Sequence, residues 1–448
     1  MNREELLKKE MLYLSEFAVK SNPSCLTKRR NFEPNEDIIE RLDFQRDRDR
    51  IIHSRAFRRL MHKTQVFNAN LGDHYRNRLT HTMEVNQIAR SISKNLGLND
   101  ELTEAIALGH DLGHTPFGHI GERTLHLLIS GDIKDNEGEF NHNKFGGFKH
   151  NYQSLQIVDN MEKRSNEYNG INLTLAVREG ILKHTGSKIR IPKDIASRNS
   201  LDSQKVEVSY STLNLDGISI DKPSFTLEGQ VVAIADEIAQ CTHDLEDGIR
   251  AKIIDLKNFK NDGLIKKICS ERKINLDDLV ETVDVRNVLI KYMVGELIND
   301  VCKTTSENLS KLKNENRIPK YTSLEDVYKE QIVSFSKETE ELHKELSNLI
   351  TKLVIASQQV TQSDLKAEYI IKRLFKAYFN HPQQLPDYIL NRYFIKKGKE
   401  FNRFNIADNI GDLKSDSEFV RLICDHIGSM TDQYASREYK KLYEPEYY

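Results

Sequence analysis

Apolar positions along this chain recur mostly at three- and four-residue intervals, the spacing of helices with one buried face. Leu7, Met11, Leu14 and Ala18 predict an amphipathic helix over 3–18. Residues 21–38 lose that period, carry Pro23 and Pro34 with the basic run Lys28-Arg29-Arg30, and read as a loop whose cations are solvated. The period returns near Asp47 and runs through Ile51, Ile52, Phe57 and Leu60, predicting a helix as far as Val66. The next helix starts near Asn77 and lines up His81, Val85, Ile88 and Ile92, so His81 points inward. Asn99 caps a further helix with Asp100 and Glu101 in its first turn, and Leu102, Ile106 and His110 share its apolar face. Gly113 closes it, and Thr115 with Pro116 reads as the cap and first position of another.

Residues 130–148 are polar and glycine-rich, a loop in which His142 is incidental. Residues 151–161 and 172–184 are helical in pattern. Strict alternation then appears at Val206, Val208 and Tyr210 and again at Ile218 and Ile220, about an Asp216-Gly217 turn, predicting a small β-hairpin near 205–221. The apolar run Val231 to Ala235 ends on Asp236, which shares a helical stripe with Gln240 and Asp244. From about residue 256 the chain is Lys/Glu-rich and helical, broken near Pro319, Pro382 and Pro386. The pattern predicts a mostly α protein in three parts: an N-terminal helix and loop (1–45), a core (46–255) and a helical C-terminal region (256–448) that packs on the core and mediates assembly.

Composition narrows the function. The 448 residues are 30% charged with a net charge of -2, so no global field recruits nucleic acid. The arginine-dense stretch 46–59 alternates with Asp47 and Asp49, a pattern of internal ion pairs more than of a basic face. Five scattered cysteines (Cys25, Cys241, Cys269, Cys302, Cys424) without CxxC spacing read as reduced thiols. No apolar run approaches ~20 residues. A soluble, cytoplasmic protein with no membrane partner is expected.

Chemistry concentrates in Ala107 to Glu122, ALGHDLGHTPFGHIGE. His81, His110, Asp111 and Asp236 are inward candidates on three separate predicted helices. Imidazole with carboxylate suits a divalent metal that works on phosphate through open coordination positions. A carboxylate that follows five apolar residues is costly to bury unless it is paired or ligating. His119 and Glu122 lie three apart at a helix start, where unpaired N–H groups favour anions. A single inward histidine is usually a satisfied core residue, but this many acidic and imidazole groups seldom converge by accident.

The surrounding words are RDRDRIIHSRAFRRLMHKTQVF (46–67 region), RLTHTMEV (78–85), GHDLGHTPFGHIGE (109–122), KHNYQS (149–154), REGILKHTG (178–186) and LEGQVVAIADEIAQCTHDLEDG (227–248). In this order they resemble the HD-domain deoxynucleoside triphosphate triphosphohydrolases, the dGTPase-like family, over roughly residues 40–250, with a weaker likeness at 420–435. The resemblance implies a helical metal-phosphohydrolase core that hydrolyses a dNTP to deoxynucleoside and inorganic triphosphate, by metal-assisted water attack at the α-phosphate. By position, His81, His110, Asp111 and Asp236 would hold the metal, Mn or Mg, with Fe and other divalent ions open. His119 would be the acid/base group, oriented by Glu122. Arg78 would contact phosphate or sugar, His114 the phosphates, Gln65 and Asp244 the sugar, and Asn151 and Lys183 the phosphate end of the pocket. Gln240 stands where many relatives carry a tyrosine that blocks a ribose 2′-hydroxyl. A homo-oligomer and a nucleotide effector are also implied. The competing readings are another HD-type phosphohydrolase acting on a different nucleotide, or a non-catalytic nucleotide sensor or single-stranded nucleic-acid binder.

Overall fold

Asn77 and Asn99 cap helices as their positions predict: the Asn77 carboxamide accepts from the Thr80 N–H at 2.9 Å, and that of Asn99 from the Leu102 N–H at 3.2 Å. In a computed structural model of the chain, residues 2–33, 40–65, 75–130, 145–190, 205–208, 210, 213–272, 274, 283–406 and 410–445 are described. His142 and Val66 lie outside those residues. Among the described residues there are seventeen α-helices and one two-stranded sheet, so the protein is mostly α. No helix there is long and apolar enough to cross a membrane.

The first part of the chain forms α1 (Arg3–Tyr13), α2 (Asp43–Ile52), α3 (Arg55–Arg59), α4 (Arg78–Asn95) and α5 (Asp100–Gly109). It continues with α6 (His119–Ile129), α7 (His150–Gln156), α8 (Leu175–Lys183) and α9 (Leu227–Arg250). The C-terminal region adds α10 (Gly263–Glu271), α11 (Val283–Asn314), α12 (Lys337–Ile350), α13 (Gln358–Asn380), α14 (Asp387–Lys396), α15 (Ile410–Ser415), α16 (Ser417–Gly428) and α17 (Asp432–Tyr443). Helix α4 packs against both α5 and α9, and α2 lies on α5. The predicted stripe of α4 is its contact face: Val85, Ile88 and Ile92 are at most 2% exposed, each worth about 1.5–3 kcal/mol of burial.

Five expectations need correction. Helix α1 has no buried residue, so it is not amphipathic; the apolar contact comes from Ala18 and Val19 beyond its end. The helix expected over 47–66 breaks at His53, because Ser54 starts a new helix by accepting from the Phe57 N–H. The run Lys28-Arg29-Arg30 is not simply solvated: Lys28 and Arg30 are exposed, but Arg29 pairs with Asp47, and Arg30 pairs with Asp216 (2.7 Å) and Asp159 (3.0 Å). Thr115 does not cap a helix; its hydroxyl donates to the Gly118 carbonyl and closes a turn, and α6 starts only at His119. Finally, the strand at Val206 pairs with an upstream partner, Lys188–Arg190 against Lys205–Glu207, instead of with residues 218–220. Asp216 and Gly217 do turn, both at positive φ, but no second strand follows.

Buried apolar side chains fall into two clusters. The larger joins α2, α4, α5, α8, α9, α10 and α11 around Ile51, Val85, Ile106, Val177 and Val231. The second brings Leu125, Leu128 and Ile129 of α6, with Phe148, against α13, α14, α16 and α17. The α5–α6 junction, which carries the histidine-rich stretch, therefore lies where both clusters meet.

Candidate metal centre and active site

Helix α5 stops at Gly109, and the His110 ring turns back so that Nδ1 donates to the Ala107 carbonyl at 2.7 Å. That bond fixes the tautomer and leaves Nε2 as a lone-pair donor. This Nε2 is buried and has no hydrogen-bond partner. Around it stand Asp111 Oδ1 at 3.5 Å and Asp236 Oδ1 at 3.7 Å. His81 of α4 completes the group, with Nε2 3.0 Å from Asp236 Oδ1 and 3.9 Å from Asp111 Oδ2. His81, His110 and Asp111 are almost wholly buried, while the Asp236 side chain keeps 23% exposure and opens the group to solvent. The four predicted ligands thus converge from α4, the end of α5 and α9.

An orphaned, tautomer-fixed imidazole nitrogen beside two carboxylates and a second imidazole fits a divalent cation. Burial disfavours charge on His110, yet Asp111 and Asp236 hold its pKa up to about 9, a sign of the negative field these carboxylates set up around the ring. Both carboxyls lie well below the usual carboxylate range despite burial, because the histidines, and Arg78 at Asp111, face them. A second layer backs His81: its Nδ1 meets His243 Nδ1 at 3.2 Å, and His243 Nε2 reaches Glu84 at 2.9 Å. Arg76 pins Glu84 in turn, at 2.8 Å.

Adjoining this group is a second cluster. Ligand atoms of His114, His119, Glu122 and His150 lie within 4.8 Å of one another, as do those of Asp111, His150 and His184. His114 Nε2 reaches Asp111 Oδ1 at 3.1 Å, and its ring stacks on His150 at 3.9 Å between centroids. Glu122 accepts from the His150 N–H at 3.0 Å and meets His150 Nδ1 at 3.1 Å, so its hydrogen bonds run to His150 and not, as expected, to His119. His119 is solvent-exposed at the first turn of α6, yet crowded by protein. Desolvation is the main force holding its pKa down at about 4, with Glu122 opposing and Arg78 and His150 reinforcing.

Arg78 is 1% exposed and donates to Asp111 Oδ2 at 2.7 Å, while its Nε and Nη2 have no partner. A Cβ at Gly118 would sit 3.1 Å from that Nη2, so the glycine lets the turn close over the guanidinium. Gln65 is buried with Oε1 unpartnered, and Asp244 is buried with Oδ1 unpartnered. Burial, then Asp247 and Asp236, push the Asp244 carboxyl up to about 8. Gln240 is exposed, one turn before it.

Two expected residues make their hydrogen bonds elsewhere, although the buried Asn151 Oδ1 has no partner. The Lys183 ammonium lies 3.1 Å from Glu179, donates to the Pro223 carbonyl and covers the Phe225 ring at 3.8 Å, because a buried cation seeks its nearest carboxylate. Asn151 spends its N–H donors on the Leu182 and Thr185 carbonyls, tying α7 to the end of α8. Three histidines escaped assignment from the sequence: His150, His184 and His243. A signal existed for His184. Like His110 it ends a helix and donates from Nδ1 to the carbonyl three residues back, at 2.7 Å. A cavity of about 990 Å³ lies apart from the site histidines, between α3, the turn after α7, α14 and α16, with His426 in its lining.

Residues 78–240 match the HD domain family and residues 333–441 the Phosphohydrolase-associated domain family. The chain is 37% identical to the deoxyguanosinetriphosphate triphosphohydrolase-like protein of Bartonella tribocorum, over 90% of each chain. It is also 37% identical to the protein of that name from Rickettsia felis, over 90% of this chain and 92% of that one. The Geobacter metallireducens protein of the same name is 36% identical, over 90% and 89%. With its histidine–aspartate cluster in place at the junction of the two matched segments, this chain belongs to the HD-domain phosphohydrolases of the deoxyguanosinetriphosphate triphosphohydrolase-like family.

Proposed function

We propose that the protein hydrolyses deoxynucleoside triphosphates to the deoxynucleoside and inorganic triphosphate, by attack of water at the α-phosphorus. The observation that carries this reading is the convergence of His81, His110, Asp111 and Asp236 beside His119 and an Arg78 with unspent donors. Those four residues would hold a divalent ion, Mn or Mg, which when bound lowers the pKa of water and neutralises phosphoryl charge. Arg78 offers Nε and Nη2 to the polyphosphate, and His114 offers its unpartnered Nδ1 side to the same space. In the free protein desolvation disfavours the proton on His119, with Glu122 opposing and Arg78 and His150 reinforcing. A polyphosphate drawn to Arg78 restores its proton, which it passes to the leaving 5′-oxygen. Glu122 acts through His150, holding that ring against His114 and His184. Gln65 and Asp244 bind the sugar, and Asp244, largely protonated near pH 7, donates to a hydroxyl as well as accepting from one. With Gln240 in place of a bulky ring, exclusion of ribose is relaxed. The family resemblance supports a cytoplasmic homo-oligomer.

Chromatography of the products from each dNTP and NTP with Mn or Mg supplied tests the reading. Intact triphosphate with deoxynucleoside is expected; orthophosphate or a nucleoside monophosphate would replace it by a different HD phosphohydrolase activity. Asp111→Ala is expected to lose both metal and turnover. His119→Ala is expected to keep metal and substrate binding while kcat falls ~10²–10⁴-fold; full activity in that variant would remove His119 from its role.

A further inference from the structure

The turn that delivers His119 is strained. Phe117 has φ of 63° and Gly118 has φ of 63°, and a non-glycine residue in that region persists only where its surroundings hold it. What holds it comes from the far end of the chain. Asp432, first residue of α17 and 6% exposed, accepts the Phe117 N–H on one carboxylate oxygen at 2.8 Å. Its other oxygen accepts the Thr64 N–H at 2.8 Å and the Thr64 hydroxyl. This carboxylate is not spent on its own helix, whose cap is the Thr431 hydroxyl accepting from Tyr434. One residue before Thr64, the buried Lys63 ammonium donates to the His114 carbonyl and, at 3.1 Å, to the Gly428 carbonyl at the end of α16. The link between α16 and α17 therefore grips both ends of the turn 114–118 and the strand-like segment leading to Gln65.

We propose that Asp432 is a positioning residue for His119: the Phosphohydrolase-associated segment sets the catalytic turn of the HD segment by clamping the Phe117 amide and Thr64 with one carboxylate. The inference rests on the acid/base role given to His119 above. Asp432→Asn keeps the shape but sets an amide N–H₂ against one of the two backbone N–H groups it now serves. The expected result is a fall in kcat of about tenfold or more, because small displacements of a reacting group are costly. Bound Mn is expected to stay within about twofold of wild type, and any rise in KM, through Gln65 beside Thr64, to be smaller than the fall in kcat. Asp432→Glu is expected to recover part of the rate. Thr64→Val, which removes a single bond, is expected to give a smaller fall and a stable protein should the Asn variant not fold. Hydrogen exchange followed by mass spectrometry reads the clamp without turnover: in Asp432→Asn the peptide over 115–121 is expected to exchange faster, with α4 and α9 unchanged. Unchanged kcat, or a fall matched by loss of Mn or by melting at the assay temperature, would overturn the proposal. Should wild type turn over no nucleotide, the functional reading fails alone, and the exchange data still decide whether Asp432 holds the turn.

Discussion

Glu228 shows how a single buried carboxyl ties distant segments together. Its Oε1 accepts the Val19 and Asn99 N–H groups, both at 3.0 Å, joining the start of α9 to the segment after α1 and to the cap of α5. The second oxygen has no partner, and burial pushes the carboxyl from its ordinary 4.5 up to about 7. A carboxyl whose folded pKa is raised binds its proton more tightly in the native state, so stability declines as pH rises from about 4.5 to about 7 and is level above. A shift of this size corresponds to roughly 3 kcal/mol. Glu228→Gln keeps the Oε1 acceptor without an ionisable group. It is therefore expected to melt near wild type at pH 4.5 and well above it at pH 8, as thermal denaturation across that range would show. A constant offset at both pH values would mean that Glu228 does not titrate in this window.

At the scale of elements, the unit to understand is α5, the tight turn and α6, because it places three of the site histidines. Close backbone approach makes it work. At Gly113 a Cβ would lie 2.1 Å from the His150 carbonyl oxygen and 2.2 Å from the Ser154 nitrogen, atoms that cannot swing aside. Ser154 seals this approach by donating to the His110 carbonyl and accepting from the Gly113 N–H, both at 2.8 Å. Gly113→Ala must therefore push α7 away and take His150 with it. The expected cost is about 1–3 kcal/mol or more of stability, with hydrolysis lost to a larger degree than Mn binding; a variant of normal melting temperature and normal rate would show that α7 can yield. The sequence showed glycine here but read it as a helix stop. The real demand, room for a second helix, belongs to α7, well downstream in the chain, and leaves no local mark. Thr115 misled for a related reason, since its hydroxyl closes a turn instead of capping a helix.

For the whole molecule, the telling fact is that the ligands all precede residue 250 while the element bearing His119 is buried by residues after 357. Leu125, Leu128, Ile129 and Phe148 pack with α13, α14, α16 and α17. Exposing four such side chains forfeits about 1.5–3 kcal/mol each, which together rivals the roughly 5–15 kcal/mol that holds a protein folded. A chain ending at Ser357 is thus expected to be recovered mainly as aggregate, and any soluble fraction to lack turnover although its four metal ligands are intact. Soluble yield and bound Mn per chain are the measurements; a soluble, active fragment would show the second cluster to be dispensable.

Residue order alone was enough to mark His81, His110, Asp111 and Asp236 as inward and His119 with Glu122 as neighbours at a helix start. Helical period, capping residues and burial of polar groups are local or nearest-turn effects, and they are written in consecutive residues. Which partners those side chains meet was decided by packing. Nothing in the local pattern says that Glu122 bonds to His150 or that Asp432 reaches Thr64 and Phe117, whereas the Glu179–Lys183 pair, four residues apart on α8, is written in consecutive residues. Hydrogen bonds between segments separated by tens to hundreds of residues depend on how helices cross, and a one-dimensional period carries no information about crossing.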